Sequence, residues 1–82
     1  MQKPKAGRAE IAEVGRRIRS RREALKGSDG RPLSQEGLAE RAGLHRTYVG
    51  HVERGEVNLA LWNLVRLARA LELDPGELVR GL

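Results

Sequence analysis

The chain has 82 residues, which is enough for one domain with a small hydrophobic core. It contains no cysteine, so disulfides, thiolate zinc sites and cysteine nucleophiles are excluded. The net charge of +5 is unevenly distributed: residues 1–31 hold ten Lys or Arg against four acidic residues, whereas residues 32–82 hold six against seven. A basic surface attracts nucleic acid or an acidic membrane, although a solvated charged face has the same composition.

The first segment is basic and lacks apolar periodicity, so we expect residues 1–9 to be a flexible arm and residues 10–82 to form the domain. From residue 11, apolar side chains recur with the spacing of one buried helical stripe: Ile11, Val14, Ile18 and Leu25. Arg22 falls on the same stripe, four residues after Ile18. Because an unpaired buried charge is costly, Arg22 needs an acidic partner.

Two short helices are predicted in the middle of the chain, after the turn-rich loop KGSDGRP. The first begins at Ser34, whose hydroxyl can accept a hydrogen bond from a free backbone N–H, and it ends at Gly43. The second spans about Arg46 to Glu53, and Gly55 interrupts the chain after it. Two helices joined by a tight glycine turn form a helix-turn-helix.

Two further helices complete the predicted set. The fourth spans about residues 60–71, with a predicted buried stripe of four apolar side chains: Leu61, Leu64, Val65 and Ala68. In LDPGEL, Asp74 is a predicted N-cap, Pro75 occupies the first helical position and Glu77 completes a capping box. A fifth helix therefore runs to about Arg80. No segment alternates with a period of two residues, so the predicted fold class is all-α with five helices.

The segment LSQEGLAERAGLHRTYVGHVERG closely resembles the helix-turn-helix of Cro/repressor-type transcriptional regulators, the XRE family. The residues that carry the resemblance are Ser34, Gln35, Ala39, Gly43, Val49, Glu53, Arg54 and Gly55. It extends from about Ile18 to Val79 and includes LVRLARALELDPGEL. The resemblance implies a compact five-helix, lambda-repressor-like DNA-binding domain that dimerises. It also implies an ion pair between Arg22 and Glu53, for which a weak surface pair is the alternative.

The resemblance places the third helix in the major groove of DNA, where its polar outer face contacts base edges. Arg46 can donate two hydrogen bonds to guanine, Thr47 can contact a base through its hydroxyl or methyl group, and His51 faces the same way. His45 replaces the usual Ser or Thr cap, so we predict a base or phosphate contact for it instead. Gly50 either lets the helix lie closer to the groove or relieves crowding between helices.

Four residues are predicted to contact the DNA backbone: Gln35, Tyr48, Arg54 and Asn58. In the family, the position of Gln35 contacts phosphate and can bridge to the recognition helix; a solvated residue at the first helical position is the alternative. Packing on the core is the alternative for Tyr48, and capping of the fourth helix is the alternative for Asn58.

Dimerisation is implied by the resemblance, and the candidate contacts lie on the fifth helix and beside it: Leu73, Leu78, Val79 and Leu82. Closure of the monomer core is the alternative for these side chains. Trp62 stands at a position that is usually polar in the family. It indicates either a contact surface or packing under the N-terminal arm.

These features predict a dimeric transcriptional regulator that binds an inverted repeat in double-stranded DNA. The short length and the segment ERGEVNLALWN resemble the controller proteins of restriction–modification systems. The alternative is an antitoxin or another protein-interaction module of the same fold. The candidate protein partner is either RNA polymerase or, for an antitoxin, a toxin protein.

Catalysis is not expected, because the sequence offers no paired carboxylates in a plausible cleft and no glycine-rich phosphate loop. The two histidines lack a third ligand, so we predict neither a metal nor another cofactor. No segment resembles a signal peptide or a membrane span, and we expect a cytoplasmic protein.

Overall fold

A computed structural model describes residues 6–82 of the chain. Over this range it contains five α-helices: α1 (Arg8–Ala24), α2 (Gln35–Ala42), α3 (Arg46–Glu53), α4 (Leu61–Ala70) and α5 (Pro75–Val79). The described residues contain no strand, and one antiparallel bridge between Lys26 and Pro32 closes the loop that joins α1 to α2. The predicted all-α fold with five helices is confirmed.

The first helix begins before its apolar stripe does. Gly7 precedes α1 with a left-handed φ of 77°, and the helix starts at Arg8 instead of near Ile11. The first residues of α1 are exposed, so they leave no periodic pattern in the sequence. The last two residues of the predicted arm are therefore helical, and residues 1–5 of that arm lie outside the described residues.

The core lies where α1 packs on α3 and α5, and where α4 packs on α2 and α5. Seven large side chains there are almost completely buried: Ile18, Leu38, Val49, Val52, Leu67, Leu71 and Leu78. Burial of each contributes about 1.5–3 kcal/mol relative to an exposed position. Because a small domain has few such side chains, each one matters to a net stability of about 5–15 kcal/mol.

The buried face of α4 differs from the predicted one. The sequence pattern predicts burial of Leu61, but this first residue of α4 is 75% exposed. The α4 side chains that do pack in the core are Leu64, Leu67, Ala68 and Ala70, together with the C-cap residue Leu71. Periodicity identifies an apolar stripe, whereas neighbouring elements decide which turns of it are covered. Within residues 6–82, little covers the first turn of α4.

Two of the four candidate dimer residues pack inside the monomer. Leu78 is completely buried and Leu73 is half-buried against the same core. The reason is that α5 packs on both α1 and α4, and Leu78 fills the space between them. For Leu78 the observed role is therefore closure of the monomer core, and its prediction as a dimer contact is wrong. Val79 and Leu82 are exposed.

Local hydrogen bonds define the starts of α2 and α5. Ser34 Oγ accepts from the Gly37 N–H at 2.9 Å. Asp74 Oδ1 accepts from the Gly76 N–H at 2.8 Å, and Glu77 Oε2 accepts from the Asp74 N–H at 3.2 Å, which completes a capping box. The predicted N-caps of both helices are confirmed.

The turn after α4 contains a residue with a left-handed backbone. Glu72 has a φ of 59°, a conformation that costs an L-residue about 1–2 kcal/mol. The conformation allows the Leu73 N–H to donate to Ala68 O at 2.9 Å, which satisfies a carbonyl at the helix end. Glycine normally occupies such a position because it adopts this φ freely.

Glu72→Gly is expected to raise the midpoint of thermal unfolding. Removal of the left-handed strain outweighs the extra unfolded-state entropy of glycine, and the net gain is about 0.5–1 kcal/mol. In a domain of this size that gain raises the midpoint by roughly 2–8 °C. Glu72→Ala is the control, because it removes the same carboxylate and keeps the strain. Equal midpoints for the two variants, measured by circular dichroism, would contradict the prediction.

Candidate nucleic-acid interface

The turn between α2 and α3 is closed by backbone hydrogen bonds and by a side chain of α4. Gly43 has a φ of 70°, as predicted for the end of α2, and the Leu44 N–H donates to Ala39 O at 2.9 Å. Arg66 donates from Nε to Ala42 O at 2.9 Å and from Nη2 to Gly43 O. The last carbonyls of a helix have no hydrogen-bond donor within that helix. Arg66 donates to two of them and thereby joins the turn to α4.

A buried ion pair holds the inner side of α3. Arg22 donates from Nε to Glu53 Oε2 at 2.7 Å and from Nη2 to Glu53 Oε1 at 3.0 Å, and the two side chains are 11% and 2% exposed. Arg22 Nη1 also donates to Leu33 O at 2.9 Å, and Gln35 Nε2 donates to Glu53 Oε1 at 3.0 Å. The hydrogen bond to Glu53 raises the pKa of Arg22. The pair therefore joins the last turn of α1, the start of α2 and the end of α3.

The close approach of α1 to α3 requires a glycine that sequence reasoning missed. A Cβ atom at Gly15 would lie 2.3 Å from Val52 O and 2.9 Å from Glu53 O. Any side chain at this position would therefore push α1 away from the end of α3. The available signal is a glycine inside a regular helix, which costs about 1 kcal/mol relative to alanine and usually has a packing reason.

The outer face of α3 carries three of the predicted base contacts. Arg46 and Thr47 are exposed in its first turn, and His51 is partly exposed in its last. Arg46 Nη1 lies 3.2 Å from Glu36 Oε2, and these side chains are 69% and 70% exposed. An ion pair this exposed contributes about 0–1 kcal/mol, so Arg46 can exchange Glu36 for another partner. The helix has no acidic residue before Glu53.

His45 caps α3, in contrast to the expectation that its side chain would serve only as an external contact. Its Nδ1 accepts a hydrogen bond from the Thr47 N–H at 3.1 Å. The imidazole can replace Ser or Thr here because Nδ1 lies as far from Cα as the amide oxygen of an asparagine cap. With Nδ1 as acceptor, the neutral ring carries its hydrogen on Nε2, where it can donate to an external acceptor.

Two of the predicted backbone contacts, Tyr48 in α3 and Asn58 in the loop before α4, have different surroundings. Tyr48 packs against the core, and its hydroxyl oxygen accepts from Asn63 Nδ2 at 3.1 Å. This arrangement leaves the hydroxyl hydrogen of Tyr48 free to be donated. Asn58 is exposed, and Ala60 is the N-cap of α4. Because no side chain among residues 6–82 caps α4, the capping alternative for Asn58 does not hold.

Arg54 and His51 share a carboxylate that sequence reasoning missed. Glu56 Oε1 lies 2.7 Å from His51 Nδ1 and accepts from Arg54 Nε at 3.1 Å. The hydrogen bond from His51 lowers the pKa of Glu56. The Arg54 guanidinium lies over Gly50, where a Cβ atom would be 3.1 Å from Nη1. Nothing in the local sequence distinguishes Glu56 from a solvated loop residue.

An apolar groove of about 160 Å³ lies on the side of the domain formed by α1, the loop after α3, and the C-terminal residues. Its apolar lining includes Ile11, Val57, Leu59, Leu64, Val79 and Leu82. Two of the predicted dimer residues, Val79 and Leu82, therefore lie together at this groove.

Two other kinds of feature are absent from the described part of the chain. Residues 6–82 contain no group of three or more His, Asp or Glu side chains placed to hold a metal ion. None of the helices in the same range has the length and apolar character needed to cross a membrane.

Comparison with known proteins identifies the family of the motif. A family model described as a helix-turn-helix domain matches residues 13–81, which include both helices of the motif and the Arg22–Glu53 pair. The chain belongs to this family. The resemblance to Cro/repressor-type helix-turn-helix regulators is confirmed.

Curated relatives include two control proteins. The chain is 55% identical over 47 residues to control protein C.SmaI from Serratia marcescens. It is 43% identical, also over 47 residues, to control protein C.BamHI from Bacillus amyloliquefaciens. Each alignment covers 57% of this chain, and the alignments cover 56% and 58% of the respective relatives. The matched segment thus spans a little more than half the length of these relatives.

Solved structures show the same fold. The restriction-modification controller protein C.AhdI from Aeromonas hydrophila has a TM-score of 0.74 and 47% identity, over 85% of this chain and 97% of that chain. The P22 c2 repressor protein, solved in complex with a synthetic operator, has a TM-score of 0.71 and 30% identity, over 84% of this chain and 96% of that chain. The predicted lambda-repressor-like fold is confirmed.

Arg22→Ala is expected to destabilise this helix-turn-helix domain, because Glu53 would stay buried without its charged partner. Loss of one member of a buried ion pair costs about 3–5 kcal/mol. Arg19→Ala is the matched control: Arg19 pairs with Glu23 at 3.4 Å on the exposed side of α1, and its loss should cost less than about 1 kcal/mol. Urea unfolding followed by circular dichroism compares the two variants. Equal unfolding midpoints would refute the structural role of Arg22.

Proposed function

We propose that this helix-turn-helix protein is a sequence-specific DNA-binding transcriptional regulator of the controller type, which binds an inverted-repeat operator as a homodimer in the cytoplasm. The observation that carries the proposal is the outer face of α3. It exposes Arg46, Thr47 and His51, and its inner side is held by the buried Arg22–Glu53 pair. The printed names of C.SmaI, C.BamHI and C.AhdI as control or controller proteins support the controller type.

The chemistry of α3 suits the major groove of DNA, which admits one α-helix. Arg46 can donate two hydrogen bonds to O6 and N7 of guanine, a contact that discriminates against other bases by about 1–3 kcal/mol. The exposed pair with Glu36 contributes about 0–1 kcal/mol, so the exchange of Glu36 for guanine is favourable. Thr47 and His51 then face neighbouring bases.

Contacts to the DNA backbone would surround this base-contacting face. His45 offers its Nε2 hydrogen and Tyr48 offers its hydroxyl hydrogen, since each side chain uses its acceptor atom inside the protein. Gln35, Arg54 and Asn58 are proposed phosphate contacts at the edges of the same face. Such contacts give affinity and orientation without base specificity.

The apolar groove supports a homodimer. Val79 and Leu82 are exposed at the groove, and Leu61 is exposed in the first turn of α4. A second copy of the chain would remove these side chains from water. In a symmetric dimer the two recognition helices lie about 34 Å apart, so the half-sites lie about one helical turn apart.

A second candidate function is a protein-interaction module, such as an antitoxin. The exposed Trp62 favours it, because Arg69 lies over the Trp62 ring at 5.5 Å from its centroid, a combination suited to a protein contact. A toxin protein would be the partner of an antitoxin. RNA polymerase would be a partner of a DNA-bound activator.

Selection of binding sites from a random duplex pool at about physiological salt tests the main proposal. The expected result is an inverted repeat with fixed spacing. Arg46→Ala should lose about 1–3 kcal/mol of affinity for that site and relax the choice of base at one position per half-site. Arg19→Ala removes one positive charge from α1, as Arg46→Ala does from α3, and it should leave the selected sequence unchanged.

Two outcomes would contradict parts of this proposal. A uniform loss of affinity for all sequences in Arg46→Ala would make Arg46 a phosphate contact. Enrichment of no sequence by the wild-type protein, with binding that disappears as salt rises, would mean that charge alone attracts DNA. That result would favour the protein-interaction module.

Val79→Glu is expected to dissociate the dimer, because dimerisation would then bury a charge in the apolar groove. Sedimentation equilibrium should give the dimer mass for the wild type and the monomer mass for Val79→Glu, with an unchanged circular dichroism spectrum. Trp62→Glu is the control, since Trp62 is also an exposed apolar side chain but does not line the groove. A monomeric wild type, or dissociation of both variants alike, would refute the proposed interface.

A further inference from the structure

The turn after α3 brings an acidic side chain back to the recognition helix. Gly55 has a φ of 71°, the Gly55 N–H donates to Val52 O at 3.0 Å, and the Glu56 N–H donates to His51 O at 2.9 Å. This pair of hydrogen bonds is a Schellman motif, which depends on the left-handed glycine. The motif places Glu56 beside His51, although the two are five residues apart in the sequence.

The contact determines which nitrogen of His51 carries hydrogen. An ionised carboxylate only accepts hydrogen bonds, so His51 Nδ1 must donate to Glu56 Oε1 across 2.7 Å. Arg54 Nη2 also lies 3.4 Å from Nδ1, but a nitrogen that carries hydrogen cannot accept from Arg54. The shorter contact, from His51 Nδ1 to Glu56 Oε1, therefore sets the position of the hydrogen. In the neutral ring Nε2 then has a free lone pair and acts as an acceptor.

Arg54 stabilises the acceptor role of Glu56. Its Nε donates to the same Oε1 atom at 3.1 Å, and its guanidinium lies beside Gly50, where a Cβ atom would be 3.1 Å from Nη1. Hydrogen bonds between charged groups are stronger than those between neutral groups. The hydrogen bond from His51 also keeps the pKa of Glu56 low, so the carboxylate stays ionised at neutral pH.

We propose that Glu56 is a specificity-determining positioning residue, which makes His51 a hydrogen-bond acceptor toward the base that it contacts. In the major groove, hydrogen-bond donors are the amino groups of adenine and cytosine, whereas guanine N7 and O6 and thymine O4 are acceptors. His51 with its Nε2 lone pair therefore selects adenine or cytosine and disfavours an edge that offers only acceptors. This inference rests on the proposed DNA-binding function, since His51 is there a base contact.

The tautomer can be measured in the free protein, without DNA. Nitrogen-15 NMR of the His51 ring, at about pH 8 where free imidazole is neutral, distinguishes Nδ1–H, Nε2–H and imidazolium. The wild type should show Nδ1–H. Glu56→Ala should increase the Nε2–H form, and Glu56→Gln should restore Nδ1–H because its amide oxygen can accept.

Two control variants separate this effect from a general change of charge. Glu23→Ala removes the same charge from α1 and should leave the His51 signals unchanged. Arg54→Ala keeps the Glu56 carboxylate and should retain Nδ1–H. A wild type with Nε2–H or imidazolium, or a Glu56→Ala spectrum equal to that of the wild type, would overturn the inference.

The consequence for specificity can be measured by site selection with the same variants. Wild-type protein should prefer adenine or cytosine at one position of each half-site, and His51→Ala should lose that preference. Glu56→Ala should reduce the preference at that position by about fivefold or more, or reverse it toward guanine or thymine, while the other positions are kept. Glu23→Ala should select the wild-type sequence.

The outcomes distinguish failure of this inference from failure of the proposed function. A defined site whose base preferences are identical in wild type and Glu56→Ala would overturn only the role of Glu56. Enrichment of no sequence by the wild type would overturn the proposed function, and the role of Glu56 in specificity with it. The NMR result would still decide whether Glu56 sets the His51 tautomer.

Discussion

The orientation of the recognition helix depends on the ion pair between Arg22 and Glu53. Glu53 is the last residue of α3, and its two carboxylate oxygens receive hydrogen bonds from Arg22 and from Gln35 at the start of α2. Buried ion pairs often contribute little net stability, because desolvation offsets their attraction. Their geometry is nevertheless demanding, since every donor and acceptor must have a partner. Among the described residues, no buried side-chain nitrogen or oxygen lacks one.

The ion pair can form only because α1 and α3 approach closely. Gly15 allows this approach, since its Cα faces the backbone oxygens of Val52 and Glu53. Gly55 allows a second approach on the same side, where its Cα faces Ala12. Backbone contact and side-chain pairing thus act at the same end of α3. The opposite, outer face of α3 remains available for contacts with another molecule.

The sequence predicts most of the fold because most helix ends are encoded locally. Ser34 and Asp74 cap α2 and α5 with their own side chains, and Gly43 ends α2. The start of α1 is less predictable, because Gly7 provides no side-chain cap. Leu61 and Leu78 show the limit of local patterns: Leu61 fits the α4 stripe yet is exposed, whereas Leu78, a candidate dimer contact, is fully buried. Their difference arises from neighbouring helices, which no local pattern describes.

The candidate site is predictable to the extent that its residues lie on one helix. Helical spacing places Arg46, Thr47 and His51 on one face of α3, and the arginine on the α1 stripe indicates a buried acidic partner. Glu56 does not follow, because its effect on His51 requires the turn at Gly55 to reverse the chain. The cap provided by His45 also does not follow from the sequence, since only the position of its ring shows that Nδ1 accepts from the start of α3.

Three contacts between a basic side chain and a glutamate carboxylate involve α3. They differ mainly in their exposure, and the exposure decides what each contact can do. The Arg22–Glu53 pair is nearly inaccessible and bidentate, so its partners cannot be exchanged. The Arg46–Glu36 pair is about two-thirds exposed and single, so water or a nucleic-acid base can replace Glu36 at low cost. The His51–Glu56 contact lies between these extremes, with side chains 42% and 40% exposed. It is covered enough to orient the His51 ring and open enough for the ring to contact another molecule. In the proposed function each contact has a part, because the orientation of α3 must be constant while Arg46 exchanges its partner and the His51 ring is held in one tautomer.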